Sequence, residues 1–116
     1  AELGNGRIVY AIHPPPPISA YMATERDRVL QSIAEQVSHE QGEVLVMGDM
    51  NNTAFAPSFR RFTQTSGLKL QAPRAMPTWR PGYISIDHIL LRSPHGATVS
   101  YGPWLGSDHR PVQAAW

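Results

Sequence analysis

Three short acidic segments have residue types and spacing suited to chemistry: Gly48-Asp49-Met50-Asn51, Ser85-Ile86-Asp87-His88-Ile89 and Gly106-Ser107-Asp108-His109-Arg110-Pro111. Each lies where an apolar run meets a turn, so a polar group can face a ligand while its neighbours stay anchored. Asp49 could orient an attacking water, and Asn51 could donate its amide to a phosphate oxygen as charge builds there. Asp87 stands inside an otherwise apolar strand, and an unpaired charge is costly if buried. A metal, an arginine or an imidazole must compensate it. His88 alternates to the opposite face of that strand and reads as packing or a structural hydrogen bond. Asp108-His109 precedes the last strand and converges on Asp87 if the two strands are neighbours in one sheet. Such a bond would fix the tautomer of His109 and raise its pKa. His13, just past a strand, is a candidate phosphate contact. Together these residues point to phosphoester hydrolysis. Singly, each also fits an ordinary turn, because Asp and Asn favour turns for local hydrogen-bonding reasons.

The elements that must position them can be read from the pattern. Arg7 to Ile12 is short, β-branched and aromatic, hence a strand. Pro14-Pro15-Pro16-Pro17 then ends it, since proline lacks the N–H a ladder needs. Ser19 or Thr24 caps a helix in which Val29, Ile33 and Val37 repeat at four, with Leu30 and Ala34 beside them. Gly42 is expected to end that helix. Glu43 to Met47 reads as a strand buried on both faces. Pro57 opens a second helix, Phe59 and Phe62 share its inner face, and Gly67 stops it. Residues 68–82 look irregular, broken by Pro73, Pro77 and Pro81. Strands follow at Ile84 to Leu91, Ala97 to Tyr101 and Pro111 to Trp116. The alternation predicts a layered α/β architecture.

The bulk numbers agree with one globular domain of 116 residues, 41% apolar and 16% charged. No window reaches the roughly 18 apolar residues of a membrane span. Zero cysteines exclude a disulfide framework and thiolate metal sites. Net charge is +1 but uneven: residues 1–57 carry three Arg against seven acids, whereas residues 58–116 carry six Arg and one Lys against two Asp. The basic second half suits an anionic substrate, although two solvated surfaces would look the same. Tyr21, Trp79, Tyr83, Tyr101 and Trp104 could stack on bases, with Trp79 beside Arg80 the best placed. The four prolines also admit a different function, docking as a polyproline helix into an aromatic groove.

Taken in order, His13, Gly48-Asp49-x-Asn51, Ile86-Asp87-His88-Ile89 and Ser107-Asp108-His109-Arg110-Pro111-Val112 resemble the endonuclease/exonuclease/phosphatase superfamily of DNase I-like proteins. The resemblance spans nearly the whole chain but only the C-terminal half of that family's domain. It implies half of a four-layer α/β sandwich, with a mixed β-sheet and flanking helices. It also implies roles: Asp49 activating water, Asn51 on the scissile phosphate, Asp87 paired with His109, His109 and His13 on phosphate oxygens, and Asp108 beside Mg²⁺ or Mn²⁺. The family's main metal-binding Glu has no counterpart here; Glu2 is the only acid before His13. The chain is therefore expected to be a fragment or one piece of a split domain, inactive alone, that self-associates or needs the missing half. An inactive binding or structural piece of the same fold is the alternative. The expected partner is a phosphoester, with nucleic acid among the candidates. The proline stretch is similar to bacterial members without an assigned substrate, some of them anchored to membranes through upstream segments.

Overall fold

The run Val44-Leu45-Val46 is apolar on both sides of the pleat, and each of its residues is at most 2% exposed. It forms the heart of β2 (Val44–Asp49), a central strand of a four-stranded sheet. The computed structural model describes residues 7–71, 77–81, 85–94, 96–104 and 106–115. Glu2, Tyr83, Ile84 and Trp116, named above, lie outside the described residues, as do Ala1, Pro73 and Gly82. The sheet order is β1-β2-β4-β3. Strand β1 (Ile8–Ala11) runs parallel to β2, while β4 (Asp87–Arg92) pairs antiparallel with both β2 and the two-residue β3 (Lys69–Leu70). A separate antiparallel pair joins β5 (Thr98–Tyr101) and β6 (Val112–Ala115). The sheet is thus mixed. The parallel β1–β2 pair requires a crossover, which α1 (Ala20–Ser38) supplies.

Period-two alternation divides the sheet's side chains between two cores. Val44, Val46 and Leu90 face Leu30, Ala34 and Val37 of α1 and Phe59 and Phe62 of α2 (Pro57–Ser66). Leu45, Ile89 and Leu91 face the other way, against Val99, Val112 and Ala114 of the β5–β6 pair. Helices cover one face and a small sheet covers part of the other. Met47 is 42% exposed beyond that cover, so β2 is not buried on both faces along its whole length.

Local signals explain most boundaries. Ser19 caps α1, its hydroxyl accepting from the Met22 N–H. Pro57 opens α2, and Gly67 closes it in the left-handed conformation with φ 74°. Gly42 does not end α1, however. The helix stops at Ser38, where the His39 N–H and the Ser38 hydroxyl satisfy the last carbonyls. Residues 68–82 are not wholly irregular either, since Lys69 and Leu70 pair with Leu91 and Leu90. Among the described residues no helix is long and apolar enough to cross a membrane.

Arg92, at the end of β4, shares the helix-facing parity of Leu90. Its guanidinium donates to the Val37 and Ser66 carbonyls at 3.1 and 3.3 Å and to the Glu40 carbonyl at 2.6 Å. One cation thus satisfies the C-terminal ends of both helices and complements both dipoles. Replacing it by alanine strands these carbonyls. Arg92→Ala should lower the urea midpoint by an amount equivalent to about 2–3 kcal/mol, with an unchanged m-value.

Candidate active site

Strand register brings the acids together. Asp49 and Asp87 are direct partners across β2 and β4, and both have the parity that faces away from the helices. His13, two residues past β1, continues the same parity as Val9 and Ala11. For β1 to reach this point its end must run close to β2, and Gly48 permits that. A Cβ there would lie 2.0 Å from the Ile12 carbonyl oxygen, and φ is +144°. No other residue fits.

The two oxygens of Asp49 have different tasks. Oδ1 accepts the Asn51 N–H at 2.9 Å, closing the turn. Oδ2 faces two imidazoles, with His109 Nε2 at 3.5 Å and His13 Nε2 at 3.6 Å. Both separations are long for a direct hydrogen bond. Asn51 adopts φ 47°, a conformation Asn tolerates. Its side-chain amide donates to the Pro14 carbonyl at 2.8 Å, and Arg26 of α1 holds its own carbonyl at 3.1 Å. The turn is therefore tied to the helix and to the proline segment at once.

His109 reaches Asp87 by a route the sequence did not indicate. Its strand-like segment does not join the main sheet beside β4. Instead Trp79 and His109 form an isolated antiparallel bridge, flanked by Arg80 N–H to Asp108 carbonyl and Arg110 N–H to Thr78 carbonyl bonds. Thr78 is fully buried, and its hydroxyl accepts the N–H groups of both Ile86 and Asp87. One residue so links the start of β4 to the His109 segment. His109 Nδ1 then hydrogen-bonds Asp87 Oδ2 at 2.8 Å, which leaves Nε2 turned toward Asp49. Thr78 carried no signal beyond a small polar residue between Pro77 and Trp79.

The remaining candidates lie around this centre. Asp108 is at the rim, its side chain 61% exposed and Oδ1 4.0 Å from His109 Nε2. His88 is on the helix-facing side, buried, its Nε2 2.7 Å from the Asn52 carbonyl and its ring edge-on to Phe59. Tyr101 and Trp104 are occupied by arginine: Arg80 and Arg110 lie 4.9 and 5.4 Å from the Trp104 ring, and Arg110 lies 5.4 Å from Tyr101. Ligand atoms of Asp49, Asp87 and His109 all fall within 4.8 Å of one another, a spacing a metal ion could bridge. Asp49 and Asp87 border an open cleft of about 370 Å³ with His13, Met47 and Arg110 on its walls.

The two histidines at the start of β4 and beside it are tuned in opposite senses. Burial of His109 opposes its protonation, but the Asp87 hydrogen bond and the charges of Asp87, Asp49 and Asp108 outweigh it, and the pKa is raised. Burial of His88 dominates and lowers its pKa, against smaller opposing effects of the Asn52 carbonyl, Asp87 and Asp49.

No curated protein matches the sequence. The model of the Endonuclease/Exonuclease/phosphatase family matches residues 2–109. Among solved structures, a magnesium-bound beta toxin mutant from Staphylococcus aureus superposes with TM-score 0.65 at 16% identity, covering 91% of this chain and 51% of the toxin. Sphingomyelinase C from Streptomyces griseocarneus gives 0.63 at 18%, covering 91% and 51%. The human Nocturnin catalytic domain with bound sulfate gives 0.58 at 18%, covering 97% and 49%. At these identities the likeness is one of fold. The chain spans about half the length of each neighbour.

The raised pKa of His109 has a definite linkage sign. Its contribution to stability is fully present below the pKa of an unfolded histidine, about 6.5, and is lost as pH rises through the folded value. Proton NMR titration of the metal-free chain should place the His109 transition above the ordinary histidine range. Asp87→Asn should move it down, and an unmoved transition would contradict the pairing.

Proposed function

Because the chain belongs to the Endonuclease/Exonuclease/phosphatase family, we propose that it carries the acid–imidazole part of a metal-dependent phosphoester hydrolase. The carrying observation is the convergence of Asp49, Asp87 and His109, from three separate segments, on one point at the open end of the sheet. Water attacks phosphorus in line with the leaving oxygen. The new P–O bond takes the water oxygen, its proton passes to Asp49 Oδ2, and the old P–O bond breaks. His109 Nε2–H meets phosphate oxygen or protonates the departing one, while Asp87 holds the ring by Nδ1. His13 approaches the same phosphate from the β1 side. Asn51 keeps one amide hydrogen for it after donating the other to Pro14.

The donor set suits a hard divalent cation in part. Two carboxylates face each other in register, a repulsion that a cation relieves, and Asp108 at the rim offers a third. Mg²⁺ or Mn²⁺ held there would supply Lewis-acid polarisation of the phosphoryl oxygen. The magnesium present in the beta toxin neighbour supports that choice of ion. Octahedral coordination takes more oxygens than these acids give, so we assign the remainder to water, substrate and a second protein segment or copy. A polyanionic phosphoester substrate, nucleic acid among the candidates, is favoured by the basic second half of the sequence.

One observation favours a second reading, an inactive binding piece of this fold: the acid-rich centre of the described residues contains only two carboxylates within bridging distance. Assay of bis(p-nitrophenyl) phosphate separates the two. With Mg²⁺, hydrolysis is expected from this chain or from a longer one matching the neighbours' length. It should vanish with EDTA and fall at least about 100-fold in Asp49→Asn and His109→Ala. Silence from both chains would favour the inactive piece.

A further inference from the structure

Another cleft, of about 310 Å³, opens beside His109. Pro16, Pro17 and Ile18 line it from one direction, Trp79 and Ile86 from another, and Asn51 and His109 stand between it and the acids. The hydrolytic reading uses neither the prolines nor Trp79.

Both walls are fixed before any ligand arrives. The hydrogen bonds flanking Trp79 and His109 define them as a non-hydrogen-bonded antiparallel pair, in which opposed side chains come closest and share one face. Trp79 is therefore held beside the imidazole by backbone register. The proline wall is tied by the Asn51 amide on the Pro14 carbonyl and by the Ile18 N–H on the Pro16 carbonyl at 2.9 Å. A rigid cleft loses little entropy on binding.

We propose that this cleft is the subsite for a planar aromatic substituent carried by the phosphoester whose phosphorus sits at Asp49 and His109. The proposal rests on the hydrolase reading and deepens it to a substrate class. Indole and pyrrolidine faces offer flat apolar contact, and a ring stacked on Trp79 gains energy whatever its edge pattern. The volume lies at the bottom of the small-molecule range, enough for one ring system. Asn51 and His109, which the hydrolase reading places on the phosphate, also line this cleft, so a single ligand can touch both.

Stable phosphonates test this without turnover. The chain is titrated with phenylphosphonate and with methylphosphonate in the presence of Mg²⁺, following the His109 ring and Trp79 indole resonances by NMR. Phenylphosphonate should bind about tenfold more tightly, within the range for ring-on-aromatic stacking, and inorganic phosphate should displace it. Trp79→Ala should bring the ratio of the two affinities close to one. Trp79→Leu, which keeps apolar bulk, should lose most of it and serves if the alanine variant does not fold. Equal affinities for the two phosphonates would overturn the subsite and leave the hydrolase reading standing. Phenylphosphonate binding that phosphate does not displace would overturn the placement of one ligand across the cleft and the phosphate position. If neither phosphonate binds, the phosphate site itself fails and the subsite falls with it.

Discussion

Two carboxylates placed in register across an antiparallel ladder repel each other, and the centre of this molecule is organised around that repulsion. Asp49 and Asp87 face each other at the open end of the sheet, where nearby positive charge relieves that repulsion. The chain supplies some of that charge itself. His109 is drawn to the pair, and its proton is held more firmly for being there. The same arrangement gathers two carboxylates and an imidazole whose ligand atoms lie within 4.8 Å of one another.

Stability is recovered on the far side of the sheet. The α1–α2 core packs against Val44, Val46 and Leu90, and Arg92 binds both helix ends to β4. The acids are thus carried by strands whose other face is firmly anchored. Two small devices pass this rigidity to the site. Gly48 lets β1 lie against β2, and Thr78 fixes the peptide groups of Ile86 and Asp87 to the segment that pairs with His109. The polar centre is thus held by the backbone of the frame that carries it.

The sequence made some of this legible and hid the rest for physical reasons. Strand parity was enough to separate Asp87 from His88, because alternation is a local property of the pleat. Helix starts were readable at Ser19 and Pro57, where capping chemistry is local too. The end of α1 was not, since Ser38 and His39 close it with side-chain and backbone bonds that a glycine rule does not anticipate. The approach of His109 to Asp87 was expected through neighbouring strands and occurs through Thr78 and Trp79 instead. That link joins residues far apart in sequence and involves a hydroxyl with no distinctive neighbours. Arg92 offered a fainter signal: a charge at the end of an apolar strand, on the helix-facing parity.

The opposite tuning of His88 and His109 sets the order in which these two imidazoles take up acid. As pH falls, the imidazole among the carboxylates charges early, while the one wedged against Phe59 resists. An unfolded chain would protonate both near the ordinary value, so the buried ring begins to favour unfolding only once the medium is mildly acidic. Acidification therefore charges the site before it loosens the interior.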